Sequence, residues 1–178
     1  MMIPHKNFCL AFTFFRSSLR QLLSLIMIYA LVVDHIISGE PELLDDQASG
    51  KYYVICDSDS GRINFVTNTC PGADIQQFVF PDNCTLLPGF IDSHVHLTIC
   101  TDDYQVDHLR LSSADKALRG LKVAQGLLQA GFTTLRSAGD ADPFYPTFSI
   151  AKSIAKGDFQ GPRIVGAGHY ISVTGGVH

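Results

Sequence analysis

Positive charge is not in excess: 13 Lys plus Arg stand against 17 Asp plus Glu, a formal net charge of −4, which is not the composition of a polybasic nucleic-acid binder. No C-x₂-C pair occurs, since the cysteines stand at 9, 56, 70, 84 and 100, so a structural zinc site of the finger or ribbon kind is not indicated. A disulfide scaffold is not expected at this length either. No apolar run reaches the roughly 20 residues that a membrane-spanning helix needs. The longest, Leu22 to Val33, has 12 residues, is interrupted by Ser24 and is closed by Asp34. What remains is a chain of 178 residues with 46 % apolar content, enough for one globular core.

The 12-residue run fits the apolar stretch of a signal peptide, with Lys6, Arg16 and Arg20 ahead of it, although no A-x-A-like cleavage site follows. The rival reading makes Ala30 to Ile37 a buried β-strand, because Val and Ile suit a pleated surface. Location stays open between cytoplasm and secretion, with the cytoplasm favoured. Asn83-Cys84-Thr85 fits the N-glycosylation pattern and has meaning only in the secretory pathway.

Turn chemistry and periodicity divide the chain into three parts. Residues 1–29 read as a leader or extension, a possible signal peptide. Residues 30–84 read as a small antiparallel β unit with strands Ala30 to Ile37, Tyr52 to Cys56, Arg62 to Thr67 and Gln77 to Phe80. Asp57-Ser58-Asp59-Ser60-Gly61 is expected to be a hairpin turn, since a calcium loop would need a third acidic ligand and a closing Glu.

Residues 85–178 alternate strand and helix: a strand over Thr85 to Leu97, a helix from Ser113 to Ala130, a strand over Phe132 to Ala138, a helix from Tyr145 to Lys156, and a strand over Arg163 to Ala167. In the first helix Ala117, Leu121, Ala124 and Leu128 form the apolar stripe, with Ser113 as N-cap and Gly131 past its end. In the second, Phe148, Ala151 and Ala155 share a face. This is an α/β pattern with a parallel sheet. A (β/α)₈ TIM barrel takes about 31 residues per βα unit, so these 94 residues amount to about three βα units of eight, and the sequence reads as incomplete.

The chemistry-bearing stretch is Leu86-Leu87-Pro88-Gly89-Phe90-Ile91-Asp92-Ser93-His94-Val95-His96-Leu97. Side chains alternate along a strand, so Asp92, His94 and His96 project to one side and Val95 and Leu97 to the other. Two imidazoles at i and i+2 reach a single metal ion, and imidazole nitrogen suits zinc. The remaining ligands must come from elsewhere.

This stretch resembles the first barrel strand of the amidohydrolase superfamily, the metal-dependent hydrolases built on a (β/α)₈ barrel flanked by a small β-sandwich. The resemblance extends to Ala130-Gly131-Phe132-Thr133-Thr134-Leu135-Arg136-Ser137-Ala138-Gly139 and to residues 161–176, which are similar to the second and third barrel strands of the imidazolonepropionase-like and prolidase-like branch. It covers residues 30–178, with the β unit matching the first part of the family's sandwich segment. Ser137 stands where many relatives carry an acid, and Val173-Thr174-Gly175-Gly176-Val177-His178 departs from the usual Pro-Thr-Gly-Gly-His.

By this resemblance His94 and His96 are metal ligands for a divalent metal, zinc by preference, with one or two ions in the complete protein. A Lys that can be carbamylated, two further His and a late Asp belong to barrel strands beyond His178. His169 and His178, on the loop after the third strand, face the substrate end. The implied activity is hydrolysis of carbon–nitrogen bonds, amide or peptide-like, by a metal-activated hydroxide, with a carboxylate shuttling the proton to the leaving nitrogen. The implied partner is a small-molecule amide or dipeptide-like substrate, with no nucleic acid and no membrane span. Asp102, Asp103, Asp107 and His108 are expected in a solvated loop, and Arg136 beside a neighbouring carboxylate. Two alternatives are a catalytically inactive truncated fragment of such an enzyme and a secreted non-enzymatic β domain.

Overall fold

Tyr29-Ala30-Leu31-Val32-Val33 is unbroken apolar sequence, and all five residues are buried because they form the interior strand of a sheet. The computed structural model describes residues 28–38, 50–99, 103–171 and 173, and these group into two units dividing between Pro88 and Gly89.

In the first unit the strands are β1 (Ile28–Val33), β2 (His35–Ile36), β3 (Tyr52–Asp57), β4 (Arg62–Thr67), β5 (Gln76–Val79) and β6 (Thr85–Leu86). Strand order β4-β3-β1-β5 makes a four-stranded sheet, and β2 pairs with β6 separately. Ile28 and Tyr29, expected in the leader, belong to β1; the rest of the leader lies outside the described residues. The expected purely antiparallel unit is mixed. β1 runs antiparallel to β3 but parallel to β5, with Tyr29 opposite Gln76, because the β3–β4 hairpin turns the chain round before it returns to the other edge of β1. The expected strand over Ala30 to Ile37 breaks at Asp34, whose carboxylate takes Lys51 Nζ at 2.7 Å and the Asn83 N–H. Tyr29, Leu31, Val33, Val54, Cys56 and Leu86 form the core, with Ile36 and Phe78 packed against it. Residues 57–61 are the expected hairpin turn: Asp57 accepts the Asp59 N–H at 2.9 Å and the Ser60 hydroxyl at 2.8 Å, and Gly61 takes φ 64°. Cys56, Cys70 and Cys84 are free thiols.

The second unit contains β7 (Phe90–Val95), α1 (Tyr104–Arg110), α2 (Ser113–Gln129), β8 (Phe132–Ser137), α3 (Pro146–Lys156) and β9 (Arg163–Gly166). Its sheet has order β7-β8-β9 with both pairs parallel. α2 packs on β8 and α3 on β9, so the helices cover one face. Leu97, Ala124 and Leu135 are the buried core there, supported by Val95, Val123, Leu127, Phe132 and Ile164. The strand expected from Thr85 starts at Phe90, because Thr85 and Leu86 pair with β2 and Pro88 carries no N–H for a ladder.

The expected stripe of α2 holds at Ala124, which is buried, with Ala117, Leu121 and Leu128 half-buried beside it, but the most buried face is turned toward Lys116 and Gly120, and the face expected on α3 is rotated. On α2 the buried residues are Lys116, Gly120 and Ala124, and on α3 they are Pro146, Thr147 and Ile150, while Phe148 is 44 % exposed. Gly120 explains the first shift: a Cβ there would stand 2.9 Å from the Leu97 carbonyl oxygen, so this is where the helix approaches the chain after β7. The N-cap of α2 is Ser112, whose hydroxyl accepts the Asp115 N–H at 3.1 Å, while Ser113, expected as the cap, gives its hydroxyl to Asp142. Residues 103–110, expected as solvated loop, contain the short helix α1. Seven residues without a side-chain cap are marginal by propensity. Asp107 ties α1 to Arg119 of α2 at 2.6 Å, and Lys116 Nζ lies 3.5 Å from His108 Nδ1. Among the described residues no helix is long and apolar enough to cross a membrane.

Candidate metal centre

β7 does not run straight through to its end. Its register against β8 shifts between Asp92 and Val95, and within that irregularity the Asp92 carboxylate accepts the His94 N–H at 3.0 Å. Irregularities of this kind re-aim side chains at strand ends. The His94 and His96 rings stand 5.1 Å apart, centre to centre, at 75° to one another. His94 is exposed and His96 half-buried. Arg136 Nη1 donates to the Ser93 carbonyl oxygen at 3.3 Å, which satisfies an acceptor in the shifted stretch. That corrects the expected carboxylate partner: among the described residues Arg136 has no ion pair.

The loop after β8 supplies the second wall. Asp140, 2 % exposed, is fully engaged: Oδ1 accepts the Asp142 N–H at 3.1 Å and the Thr98 hydroxyl at 3.3 Å, and Oδ2 accepts the Thr147 N–H in the first turn of α3 at 3.1 Å. A carboxylate there satisfies a helix N–H that has no partner within the helix and complements the helix dipole. Asp142 is equally committed, to Lys116 at 2.7 Å, to the Ser113 hydroxyl at 2.6 Å and to the Phe144 N–H at 3.0 Å. Burial raises the proton affinity of the Asp142 carboxyl, but these hydrogen bonds and the Lys116 charge outweigh it and hold the group at about 2. Both acids are therefore structural, and the sequence gives no sign of either role.

The segment after β9 closes against the same loop. The Ala167 N–H donates to the Ser137 carbonyl at 3.0 Å, the Asp140 N–H to the Gly168 carbonyl at 2.8 Å, and Asp140 and His169 form a bridge. His169 is exposed; its Nδ1 lies 3.0 Å from the Asp140 carbonyl oxygen, and its ring stands 4.1 Å from that of Tyr145. With Nδ1 donating to that carbonyl, Nε2 is left as an acceptor. Tyr170, which sequence reasoning passed over, puts its hydroxyl 2.7 Å from His96 Nδ1. Burial, and then the charge of Asp140, push this phenol above its ordinary value, so it is a neutral hydroxyl. His178 and Asp102 lie outside the described residues. Among the described residues no group of three or more His, Cys, Asp or Glu is gathered as a metal site requires.

Comparison with solved structures finds this fold in a Xaa-Pro dipeptidase with bound methionine in the active site, at TM-score 0.66 and 24 % identity over 82 % of this chain and 34 % of that one. A prolidase complexed with N-methylphosphonate-L-proline gives TM-score 0.61 and 27 % identity over 79 % and 32 %. The A. niger ochratoxinase gives TM-score 0.56 and 20 % identity over 79 % and 30 %. The chain thus spans about a third of the length of these proteins. Comparison with curated proteins gave no match. The amidohydrolase family model matches residues 85–177, more than half of the sequence and the whole of the β7-β8-β9 sheet with its histidines, and the chain belongs to the amidohydrolase family.

Proposed function

We propose that this chain carries the first part of the metal centre of a hydrolase acting on amide or peptide-like carbon–nitrogen bonds, with His94 and His96 holding a divalent cation, zinc by preference. The observation that carries the reading is the separation of the two rings. For one ion held tetrahedrally by two imidazole nitrogens at about 2.0–2.1 Å, the ring centres stand about 5 Å apart, and those of His94 and His96 stand 5.1 Å apart. That separation supports the pair as two of the ligands of such an ion. Such an ion supplies Lewis-acid polarisation of a carbonyl and activation of water. His94 and His96 act as ligands and not as bases. His169 is proposed to accept a substrate hydrogen bond at Nε2, and His178 to lie on the same substrate side.

Family membership and the likeness to a Xaa-Pro dipeptidase and a prolidase support a small amide or dipeptide-like substrate. They also support reading the β7-β8-β9 sheet as the opening of a (β/α)₈ barrel and residues 30–84 as a sandwich segment. Two imidazoles leave an ion short of the three or more protein ligands of catalytic zinc sites, so the 178-residue chain tested by itself is proposed to bind metal weakly and to turn over little substrate. Calorimetric titration with zinc decides the matter. The wild-type chain is expected to bind, and His94→Ala and His96→Ala each to abolish binding. A wild-type chain without binding, or variants that bind like it, would overturn the assignment; fast hydrolysis of a Xaa-Pro dipeptide by the chain alone would show that fewer residues suffice.

A further inference from the structure

We infer that Tyr170 is a positioning residue for His96: its hydroxyl occupies the Nδ1 side of the imidazole, so that Nε2 is the nitrogen turned to the cation. The inference rests on the metal reading above and adds a residue to it. The two groups are 2.7 Å apart, and the ring centres stand 5.7 Å apart at 50°, so the contact runs through the hydroxyl and not through stacked faces. A neutral imidazole has one nitrogen that donates and one that accepts. If Nδ1–H donates to the Tyr170 oxygen, the lone pair is on Nε2, as ligation requires. An imidazole that ligates a metal donates its other N–H to a fixed acceptor in this way, and that bond sets both tautomer and ring orientation.

Tyr170 is held by backbone, which is what a positioning role needs. The pairing of residues 137–140 with 167–169, through the Ala167 and Asp140 N–H bonds and the Asp140–His169 bridge, delivers the next residue over Gly139. A Cβ at position 139 would fall 2.3 Å from Tyr170 Cε1 and 2.5 Å from Cδ1. The phenol ring therefore occupies the space a side chain at 139 would fill, and Gly139 is the complement of Tyr170. Ser93, Asp92 and Arg136 set His94 through the backbone of β7, while His96 lies beyond the end of that strand and takes its orientation from Tyr170.

The test uses the whole chain labelled with ¹⁵N-histidine and titrated with zinc, comparing wild type, His94→Ala, Tyr170→Phe and Gly139→Ala. Tyr170→Phe keeps the ring over Gly139 and removes only the hydroxyl. It is expected to weaken zinc binding about 10–100-fold, the range seen when such supporting partners are removed, with no change in the urea midpoint. In zinc-loaded wild type the His96 Nδ1 proton is expected as a slowly exchanging, downfield resonance, and in Tyr170→Phe it is expected to move upfield and exchange with water. Gly139→Ala, which displaces the phenol, is expected to show the same two changes. Wild-type affinity in Tyr170→Phe, or weakened affinity with the His96 proton unmoved, would overturn the role of Tyr170 while leaving the His94–His96 site intact. Absence of zinc binding in the wild type, or its survival in His94→Ala, would overturn the site itself and the inference with it.

Discussion

Replacing Asp142 with Asn tests how the loop beside the candidate centre is held. The side chains of Lys116 and Asp142 are only 6 % and 4 % exposed and meet at 2.7 Å. Burial raises the Asp142 carboxyl, but the hydrogen bonds from Lys116, Ser113 and Phe144 and the Lys116 charge bring it from an ordinary 3.8 to about 2. At about 1.4 kcal/mol per pH unit, that drop corresponds to about 2 kcal/mol of folding free energy for the ionised group. Because the folded value lies below the unfolded one, this stability is present above the unfolded value of 3.8 and is lost as the pH falls through about 2. Asn keeps the size and one acceptor for the Phe144 N–H, but it leaves the Lys116 ammonium buried without a counter-charge, which costs about 3–5 kcal/mol. Urea unfolding followed from neutral pH to about pH 2 should therefore show two things. Asp142→Asn should be less stable at neutral pH, and its further loss on acidification should be smaller than that of wild type by about 2 kcal/mol. Lys116→Met combined with Asp142→Asn should recover most of the neutral-pH loss, since removing both charges of a buried pair is far cheaper than removing one. An acid slope in Asp142→Asn equal to that of wild type would refute the reasoning, for it would place the titrating carboxylate elsewhere.

Gly120→Ala sets a helix-propensity gain of about 1 kcal/mol against overpacking of about 1–3 kcal/mol, because the added Cβ meets a backbone oxygen at 2.9 Å; a lowered urea midpoint is expected, and a raised one would show that α2 lifts freely. With a disulfide reagent, Cys70 should react before Cys56 in the folded chain. Cys56 is buried and its thiol is pushed up to about 12, whereas the Gly72 N–H lowers that of the exposed Cys70; equal rates would contradict this. Arg119→Ala removes an ion pair whose members are 47 % and 31 % exposed and should change stability by less than about 1 kcal/mol, so a larger loss in urea would mean that α1 depends on that pair.

The closeness of the His94 and His96 rings was legible because the two residues are only two apart at a strand end, although the register shift between Asp92 and Val95 and the end of β7 at Val95 mean that simple alternation does not by itself set their orientation. The strand boundaries at β3, β4 and β8 were legible for a related reason: runs of β-branched and aromatic residues are bounded there by Gly, Asp, Asn or Ser. What escaped was everything that depends on a partner distant in sequence. Lys116 lies outside the apolar stripe expected for α2, yet it is buried, with Asp142, 26 residues on, accepting its ammonium. Tyr170 reads as one loop aromatic among several, and only the pairing of residues 137–140 with 167–169 brings it to His96, 74 residues away. The helical faces slipped for the same reason. Ala117 and Leu121 fit the stripe by hydropathy, but Gly120 is the position that lets the helix come close, and a missing side chain adds nothing to a hydropathy count.

The sheet of the second unit shows why its site and its stability are bound together. Helices α2 and α3 lie over the face bearing Leu135 and Ile164. Alternation then sends Arg136 and Val165 to the opposite face, where both are exposed, Val165 by 53 %. His94, at the end of β7, is exposed as well. Parallel strands are ordinarily buried on both faces, and Ile91 on the edge strand is 59 % exposed. The described helices thus contribute hydrophobic burial on one side only, and the groups with chemical potential are on the side left open. Exposed apolar side chains, Val165 and Ile91, and the exposed imidazole of His94 lie on the side that the described helices leave open, so burial of those side chains and access to that imidazole are coupled.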